Sequence, residues 1–571
     1  MTPKKEEESN DIPEIICDTK NNRSYQRLRY CGKGGFGTCY EIRDTATNKI
    51  WAGKILSKKV LARSSQRRRI SQEVKIHRSL QHRHVVGFHS AFEDSKYVYI
   101  VLEMCKCRSM LELHIRRNTI TVPESRYFIH QIFLGVRYLH SKRIIHRDLK
   151  PGNIFLDHDL QVKIGDFGLA TRFNYDDDRR QRYCGTPNYM APEILTLEGH
   201  SYKADIWSLG CIMYTLLVGK PPFDASTVEG IYSRIKHCDY TIPSSLHQHA
   251  ASLISLQLQL SPRRRPSVDK LLKHEFLICG NKPTSLPLSC LYTAPRTDHL
   301  GWFTTYLLPP RESSSSANAQ VPTATAVEEA PKNEPTQAET PGVEPIKTQE
   351  QNINEIRCLL TLLLGEDFKK LKYRYDSLPD ELSDPEAHPL VWVSRWVEDS
   401  NGFGYHLCDD NIGVLFPDNT KLIIMANGLN VHYVDQQDHE SYMTITQYPQ
   451  ELEEKMEKLI YFKKYMTDNL KTTGDTDPVK ESDAMARLPY VRQVFKTPQA
   501  IFIYLNNGTL QLNFNTHTKL IICPKMKAVT QMDMGRIFRT FRLGTIDEHG
   551  CDLKLFCNLK YALEQLIGGL A

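Results

Sequence analysis

The stretch His146-Arg147-Asp148-Leu149-Lys150-Pro151-Gly152-Asn153, followed by Asp166-Phe167-Gly168, constrains this 571-residue chain more than any other part of it. Within twenty-one residues it sets a carboxylate, an ammonium, an amide and a second carboxylate. That inventory suits phosphoryl transfer. An acceptor hydroxyl needs a base, the moving phosphate needs a cation, and Mg²⁺ needs oxygen donors on the protein. A polar loop between two strands is the plain alternative, and companion motifs must decide.

At this length two to four domains are expected. A hydrophobic content of 40% and a charged content of 25% are ordinary for globular protein. A net charge of +6 is mild for the length and does not point to nucleic acid as a partner. The fifteen cysteines form no CxxC pair and no Cys/His metal spacing, and Cys105 and Cys107 read as an incidental pair. The first ten residues are charged, without the apolar core of a signal peptide, and no apolar run has membrane-spanning length. Free thiols, no membrane and a place in cytoplasm or nucleus are the expectations.

Residues 1–24 read as a poorly ordered extension. Gly32-Lys33-Gly34-Gly35-Phe36-Gly37 then fits GxGxxG, whose glycines let backbone N–H groups fold over phosphates. The pattern also opens dinucleotide-binding folds, where a helix follows at once. Here Cys39-Tyr40-Glu41-Ile42 and Ile50-Trp51-Ala52-Gly53-Lys54-Ile55 are extended instead. A lysine on a strand is ordinarily a solvated edge charge, but Lys54 is followed by Glu73 in a helical pattern. An apolar strand over 97–103 and a helix over 124–140 lead to the opening motif. After Asp166 come an acidic-then-basic run (176–182), Gly185-Thr186-Pro187, Ala191-Pro192-Glu193, Asp205 and Arg265.

In this order the motifs resemble the protein-kinase catalytic module. The resemblance implies a two-lobed fold using ATP and Mg²⁺. Asp148 would be the base, Lys150 would contact the transferring phosphate, and Asn153 and Asp166 would hold the metal. Lys54 would grip the α/β-phosphates with Glu73 as its ion-pair partner, and backbone groups of Glu103-Met104-Cys105 would hold adenine. Asp205 would brace the catalytic loop and Arg265 would pair with Glu193. Local strings narrow the resemblance to polo-like kinases: His77-Arg78-Ser79-Leu80, His84-Val85-Val86-Gly87-Phe88, Cys184-Gly185-Thr186-Pro187-Asn188-Tyr189 and the run from Cys211 to Phe223. In that family Cys39 and Phe155 line the adenine pocket; Ala52 and the glycine-loop residues complete it. The module is expected over 25–276, followed by a disordered linker over 277–351 that includes Ser313-Ser314-Ser315-Ser316.

The last third contains a weak duplication: residues 405–424 lie over 503–522 at a constant offset of 98. Both copies alternate with period two around a DN or NNG turn, and both run toward a helix, over 450–470 and 552–566. This resembles the tandem polo-box domain, with boxes at 389–470 and 488–567 and a cap and connector at 352–388. The helical stretch 353–364 is expected to cap the first box. The fold class is thus α+β multidomain: a bilobal kinase, a disordered linker and two boxes, each an antiparallel sheet plus a helix. His517 stands where the first copy has Asn419, and His517-x-Lys519 would set an imidazole and an ammonium on one face of a strand. Two surface residues and a buried aromatic are the ordinary reading of such a pattern. The resemblance implies instead that His517 and Lys519 bind phosphoserine or phosphothreonine, with Trp396 and Leu470 lining the same groove.

The family's phosphorylatable threonine before Cys-Gly-Thr-Pro is here Arg182. Three accounts compete: the loop is held by Asp176, Asp177 and Asp178, phosphate goes to Tyr183 or Thr186, or a partner activates the enzyme. Gly37, where the family often has alanine, is expected only to loosen the glycine loop. The expected function is a Ser/Thr kinase acting on protein substrates and recruited to phosphorylated docking proteins. Mitosis is the expected setting, at the centrosome or spindle pole, the kinetochore and the midzone. A non-mitotic polo relative and a scaffold with a weak or inert kinase module are the alternatives.

Overall fold

The structure is a computed structural model and describes residues 12–33, 37–59, 61, 64–175, 183–280, 282–296, 349–365, 391–469, 485–533 and 538–568. The amino-terminal lobe is one antiparallel sheet of β1 (Ile15–Asp18), β2 (Arg23–Lys33), β3 (Thr38–Asp44), β4 (Ile50–Ser57), β5 (Phe88–Glu93) and β6 (Tyr97–Leu102), in the order β1-β2-β3-β4-β6-β5. Alternation along β3 and β4 sends Tyr40, Ile42 and Ile55 into a core with Tyr25, Phe92 and Val101. Leu56 faces the other way, toward Ile70 of α1 (Ser64–Arg78). β1 corrects the expectation for residues 1–24. It pairs with the start of β2, and Ile12 and Ile16 are buried. Asp18 makes this possible by accepting the N–H groups of Lys20 and Asn21 at 3.2 Å each, which closes the turn.

The second lobe is helical. Helix Val122–Ser141 starts at a reciprocal cap between Thr121 and Glu124 and buries Phe128, Ile129, Ile132, Phe133 and Val136. Helix Tyr202–Val218 is buried on nearly every side and stops at Gly219, whose φ of 89° a side chain would resist. The lobe also runs past its expected end. Leu277, Leu286 and Cys290 belong to its core, and Arg117 donates to the carbonyls of Cys290 and Thr293 at 2.6 and 3.0 Å. Pro283 and Pro287 give this strap the composition of a linker. Residues 297–348, including the serine run, lie outside the described residues.

The last third forms two six-stranded antiparallel sheets with strands in sequence order, from Val393–Asp399 to Glu440–Thr444 and from Val491–Lys496 to Phe538–Arg542. Each carries one long helix, Glu453–Asn469 or Leu553–Ile567. In the first, Met456, Leu459 and Phe462 pack on Val414 and Leu422. Gly404 is required there, because a Cβ would lie 2.4 Å from the Phe462 ring. Helix Gln349–Leu363 does not cap the first box. Its stripe of Ile353, Ile356, Leu360 and Leu363 joins the core of the second, beside Leu555 and Leu559. Closeness in the chain suggested the first box; the apolar flank of helix Leu553–Ile567 supplies the surface that the stripe covers. No described helix is long and apolar enough to cross a membrane, and all fifteen cysteines are free.

Candidate functional site

Lys54 on β4 reaches Glu73, its expected partner, and also Asp166, which the sequence marked only as a metal ligand. Its Nζ lies 2.6 Å from Glu73 Oε1 on α1 and 3.2 Å from Asp166 Oδ1. Burial by itself would depress the Lys54 pKa, but the carboxylates of Asp166 and Glu73 outweigh it and hold the ammonium above its ordinary value. The converse holds for Asp166, where burial would raise the carboxyl and Lys54 keeps it below the usual range. Asp166 adopts φ 58°, an uncommon conformation for a non-glycine residue. Phe167 is buried beside the rings of His77 and His146, at 4.7 and 5.3 Å, and fixes that turn.

The catalytic loop hangs from the first turn of helix Tyr202–Val218. Asp205 is fully buried there and accepts the N–H groups of His146 and Arg147 at 3.0 and 2.9 Å. His140 Nε2 lies 2.9 Å from the same carboxylate. Burial would raise the Asp205 pKa, but these bonds, that of His140 foremost, hold it below its ordinary value. The loop so braced presents Asp148, whose carboxylate accepts the Thr186 hydroxyl at 2.7 Å and Asn153 Nδ2–H at 3.1 Å. Lys150 Nζ lies 3.2 Å from Asp148 and donates to Thr186 Oγ1 at 2.9 Å. Asn153 also donates Nδ2–H to the Asp148 carbonyl at 2.8 Å, so both of its bonds engage the amide nitrogen and leave the amide oxygen to serve as a ligand. An amide oxygen and a carboxylate suit a hard cation such as Mg²⁺, which takes few protein ligands and leaves the rest to phosphate and water. Among the described residues no cluster of three or more His, Cys, Asp or Glu would hold a metal alone.

Around this cluster lie the residues expected to hold the nucleotide. Gly32 and Lys33 end β2, with Lys33 paired to Thr38. Gly34, Gly35 and Phe36 lie outside the described residues. Cys39 on β3 pairs with Lys54, and Ala52 on β4 pairs with Leu102. Gly37 does more than loosen the loop, since a Cβ on it would lie 2.4 Å from the Ile55 carbonyl oxygen. Its backbone runs too close to β4 for alanine in this conformation. Glu103 accepts the Gly87 N–H at 2.8 Å and pairs with Lys163 at 2.7 Å, so its side chain fastens the connection between lobes. Cys105 is buried, with its carbonyl taking the Arg108 N–H at 3.3 Å. Phe155 packs on Gly165, where a Cβ would come 2.9 Å from its ring. Lys163 and Gly165 were not anticipated; Lys163 lies in strand Val162–Ile164 and Gly165 directly after it, and their only signal is this place just before Asp166.

In the last third, Lys519 Nζ donates to the carbonyls of Ser394 and Val393 at 2.7 and 3.2 Å and lies 4.8 Å from the Trp392 ring centroid. Gln511 of the second box holds the Val393 N–H and carbonyl at 2.8 and 2.9 Å. Lys519 therefore stands against the strand that carries Trp396, which is half-buried and stacked on Phe403 at 5.3 Å. His517 is exposed and sits at φ 58° in the turn before strand Lys519–Cys523. The pair thus combines a turn residue with the first strand residue, and does not share a strand face as the spacing suggested. Asn419 has the same turn conformation, φ 64°. Leu470 lies outside the described residues. Trp392, Ser394 and Gln511 were missed, because nothing local marks a residue that serves the other copy.

Two lobes around a cleft where Lys54, Glu73, Asp148, Asn153 and Asp166 are placed in this way define a protein kinase. The family described as protein kinase domain matches residues 25–277, and that described as POLO box duplicated region matches 399–456 and 497–556. The Drosophila melanogaster serine/threonine-protein kinase polo is 46% identical over 569 residues, covering 99% of this chain and 98% of that protein. Xenopus tropicalis serine/threonine-protein kinase PLK1 is 43% identical, over 97% of this chain and 92% of its own length. Caenorhabditis elegans serine/threonine-protein kinase plk-2 is 40% identical, over 98% and 89%. The chain belongs to the polo family of serine/threonine-protein kinases.

Proposed function

We propose that this kinase binds ATP and Mg²⁺ between its lobes, with Asp148 orienting the acceptor hydroxyl, and that the groove between its boxes docks it on partners already carrying phosphoserine or phosphothreonine. ATP supplies the phosphoryl group, and the metal shields the charge of its phosphates. Lys54, held by Glu73, positions those phosphates; Asn153 and Asp166 offer the metal its oxygen ligands. The observation that carries this reading is the Thr186 hydroxyl, which accepts from Lys150 and donates to Asp148. A substrate hydroxyl would make the same two contacts, with its proton aimed at the carboxylate. A scaffold with an inert kinase module is not favoured, since the Lys54–Glu73 pair is formed.

Arg147, the cation that a phosphothreonine at 182 would neutralise, donates Nε–H to the Leu169 carbonyl at 2.7 Å. That bond, together with the formed Lys54–Glu73 pair, supports a cleft that works without a phosphate at 182. Asp176, Asp177, Asp178 and Arg182 themselves lie outside the described residues. Phosphatase treatment is expected to leave most of the casein-phosphorylation rate intact. A collapse would place an activating phosphate elsewhere, on Tyr183 or Thr186.

Docking on a phosphorylated partner raises the effective concentration of nearby acceptors, so weak recognition at the cleft suffices. From the resemblance to polo-like kinases, the proposed partners are components of mitotic structures: centrosome or spindle pole, kinetochore and midzone. In the full chain, His517→Ala/Lys519→Met should weaken binding of a phosphothreonine peptide by at least about 30-fold, or about 2 kcal/mol, with its unphosphorylated twin as control. Equal affinity of the two chains would remove His517 and Lys519 from the groove.

A further inference from the structure

The offset of 98 residues between the boxes recurs in space along their first strands. Both first strands bulge at matching residues, between Val393 and Arg395 and between Val491 and Gln493. Cys408 donates its N–H to the Trp392 carbonyl, and Asn506 to that of Tyr490, at 3.0 Å each. The Val393 N–H meets Gln511 of the second box, and the Val491 N–H meets the Tyr405 hydroxyl of the first at 3.0 Å. Tyr405 can do this because Gly413 stands where the second box has Gln511; a Cβ there would lie 2.3 Å from the hydroxyl. Each box thus serves the other's first strand, as mates about a pseudo-twofold axis.

By that symmetry the mate of Lys519 is Lys421, and the mate of Ser394 is Arg492. Lys421 is only 1% exposed, and its Nζ lies 3.3 Å from Asp438 Oδ1. Asp438 Oδ2 lies 2.6 Å from Arg492. One carboxylate therefore bridges a lysine of the first box and an arginine of the second. It does so at the pseudo-symmetric counterpart of the Lys519–Ser394 contact. Asp438 is held there by its turn, with φ 62° and its N–H on the Asp435 carbonyl at 3.3 Å.

We infer that the first box retains a second phosphate-monoester site, and that Asp438 fills it as a built-in anion, so that a duplicated module reads one phosphate. This rests on the reading of His517 and Lys519 as the clamp of the open groove. A phosphate monoester brings more charge and more acceptor oxygens than a carboxylate to the same ammonium and guanidinium. Removing Asp438 also leaves a buried lysine without its counter-ion, a destabilised state that a phosphate relieves.

The test uses the full chain with the open groove silenced by His517→Ala/Lys519→Met, and adds Asp438→Gly, which suits the left-handed turn. Inorganic phosphate and a phosphoserine peptide are titrated by calorimetry and by melting, against chloride at equal ionic strength. The triple variant should gain one phosphate site that the double variant lacks, and Lys421→Met should abolish it. Any fall in melting temperature caused by Asp438→Gly should be reversed by phosphate and not by chloride. With the groove intact, Asp438→Gly alone should take phosphopeptide stoichiometry from one to two. No gained site and no phosphate-specific recovery would overturn the inference, whether or not the variant is destabilised. A gained site in a chain whose wild type binds no phosphopeptide would instead overturn the reading of His517 and Lys519.

Discussion

Asp148→Asn is expected to lower the rate of casein phosphorylation by about 10²–10⁴-fold, the usual worth of a positioned acid–base group. The Asp148 carboxylate is where three donors meet: the Thr186 hydroxyl at 2.7 Å, Asn153 Nδ2–H at 3.1 Å and the Lys150 ammonium at 3.2 Å. Asparagine has nearly the same shape. It removes the charge and offers one acceptor oxygen where there were two, so the acceptor hydroxyl loses the group that orients its proton. Lys54, Glu73 and Asp166 make no hydrogen bond to Asp148 among those the structure describes, so nucleotide affinity should stay within about twofold and the loss should fall on kcat. Measuring both separates the two roles. A variant within about threefold of the wild-type rate would mean that another group orients the acceptor.

How much of this could be read from the chain depends on where the deciding contact lies. Asp148, Asn153 and Asp166 are legible because one loop and one turn carry them, so spacing already encodes their convergence. Lys54 and Glu73 are read through the order of motifs. Other residues depend on surfaces that meet only after folding. Nothing in the spelling of 353–364 says that its stripe covers the second box, since both boxes offer helices of similar pattern. The spacing from Lys519 places His517 on a strand, but the strand begins only at Lys519, and φ 58° takes His517 off the sheet. Asp438 was invisible for the same reason as Ser394 and Gln511: its partner Arg492 lies in the other copy. The short strand β1 was lost among charged neighbours, although two isoleucines and an aspartate turn were enough to form it.

Arg265→Ala should cost about 3–5 kcal/mol of kinase-module stability, the usual penalty for breaking a buried ion pair from one side. Arg265 is 0% exposed and grips Glu193 with both arms, at 2.7 and 2.8 Å. Its remaining N–H groups satisfy the carbonyls of Gln259, Lys203 and Leu260 at 2.8, 2.9 and 3.2 Å, and its guanidinium lies 4.9 Å from the Trp207 ring centroid. Truncation strands the Glu193 carboxylate and takes one donor from each of three carbonyls in a dry interior. Arg265→Lys should recover little, because one ammonium cannot reproduce the planar fork. The chain has several domains, so the readout is the temperature at which kinase activity is lost, expected to fall by about 6–20 °C. Arg265→Met with Glu193→Gln, which removes both charges, should be less damaging than Arg265→Ala alone if the stranded carboxylate is the main cause. If the double variant is equally damaged, the loss comes from the carbonyls and from packing on Trp207. Glu193 lies in the short helix Pro192–Leu195 beyond Thr186, so either outcome bears on the cleft. The pair holds down the far end of the segment that carries Thr186 to Asp148, and a loosened Glu193 should also raise KM for the protein substrate while leaving KM for ATP unchanged.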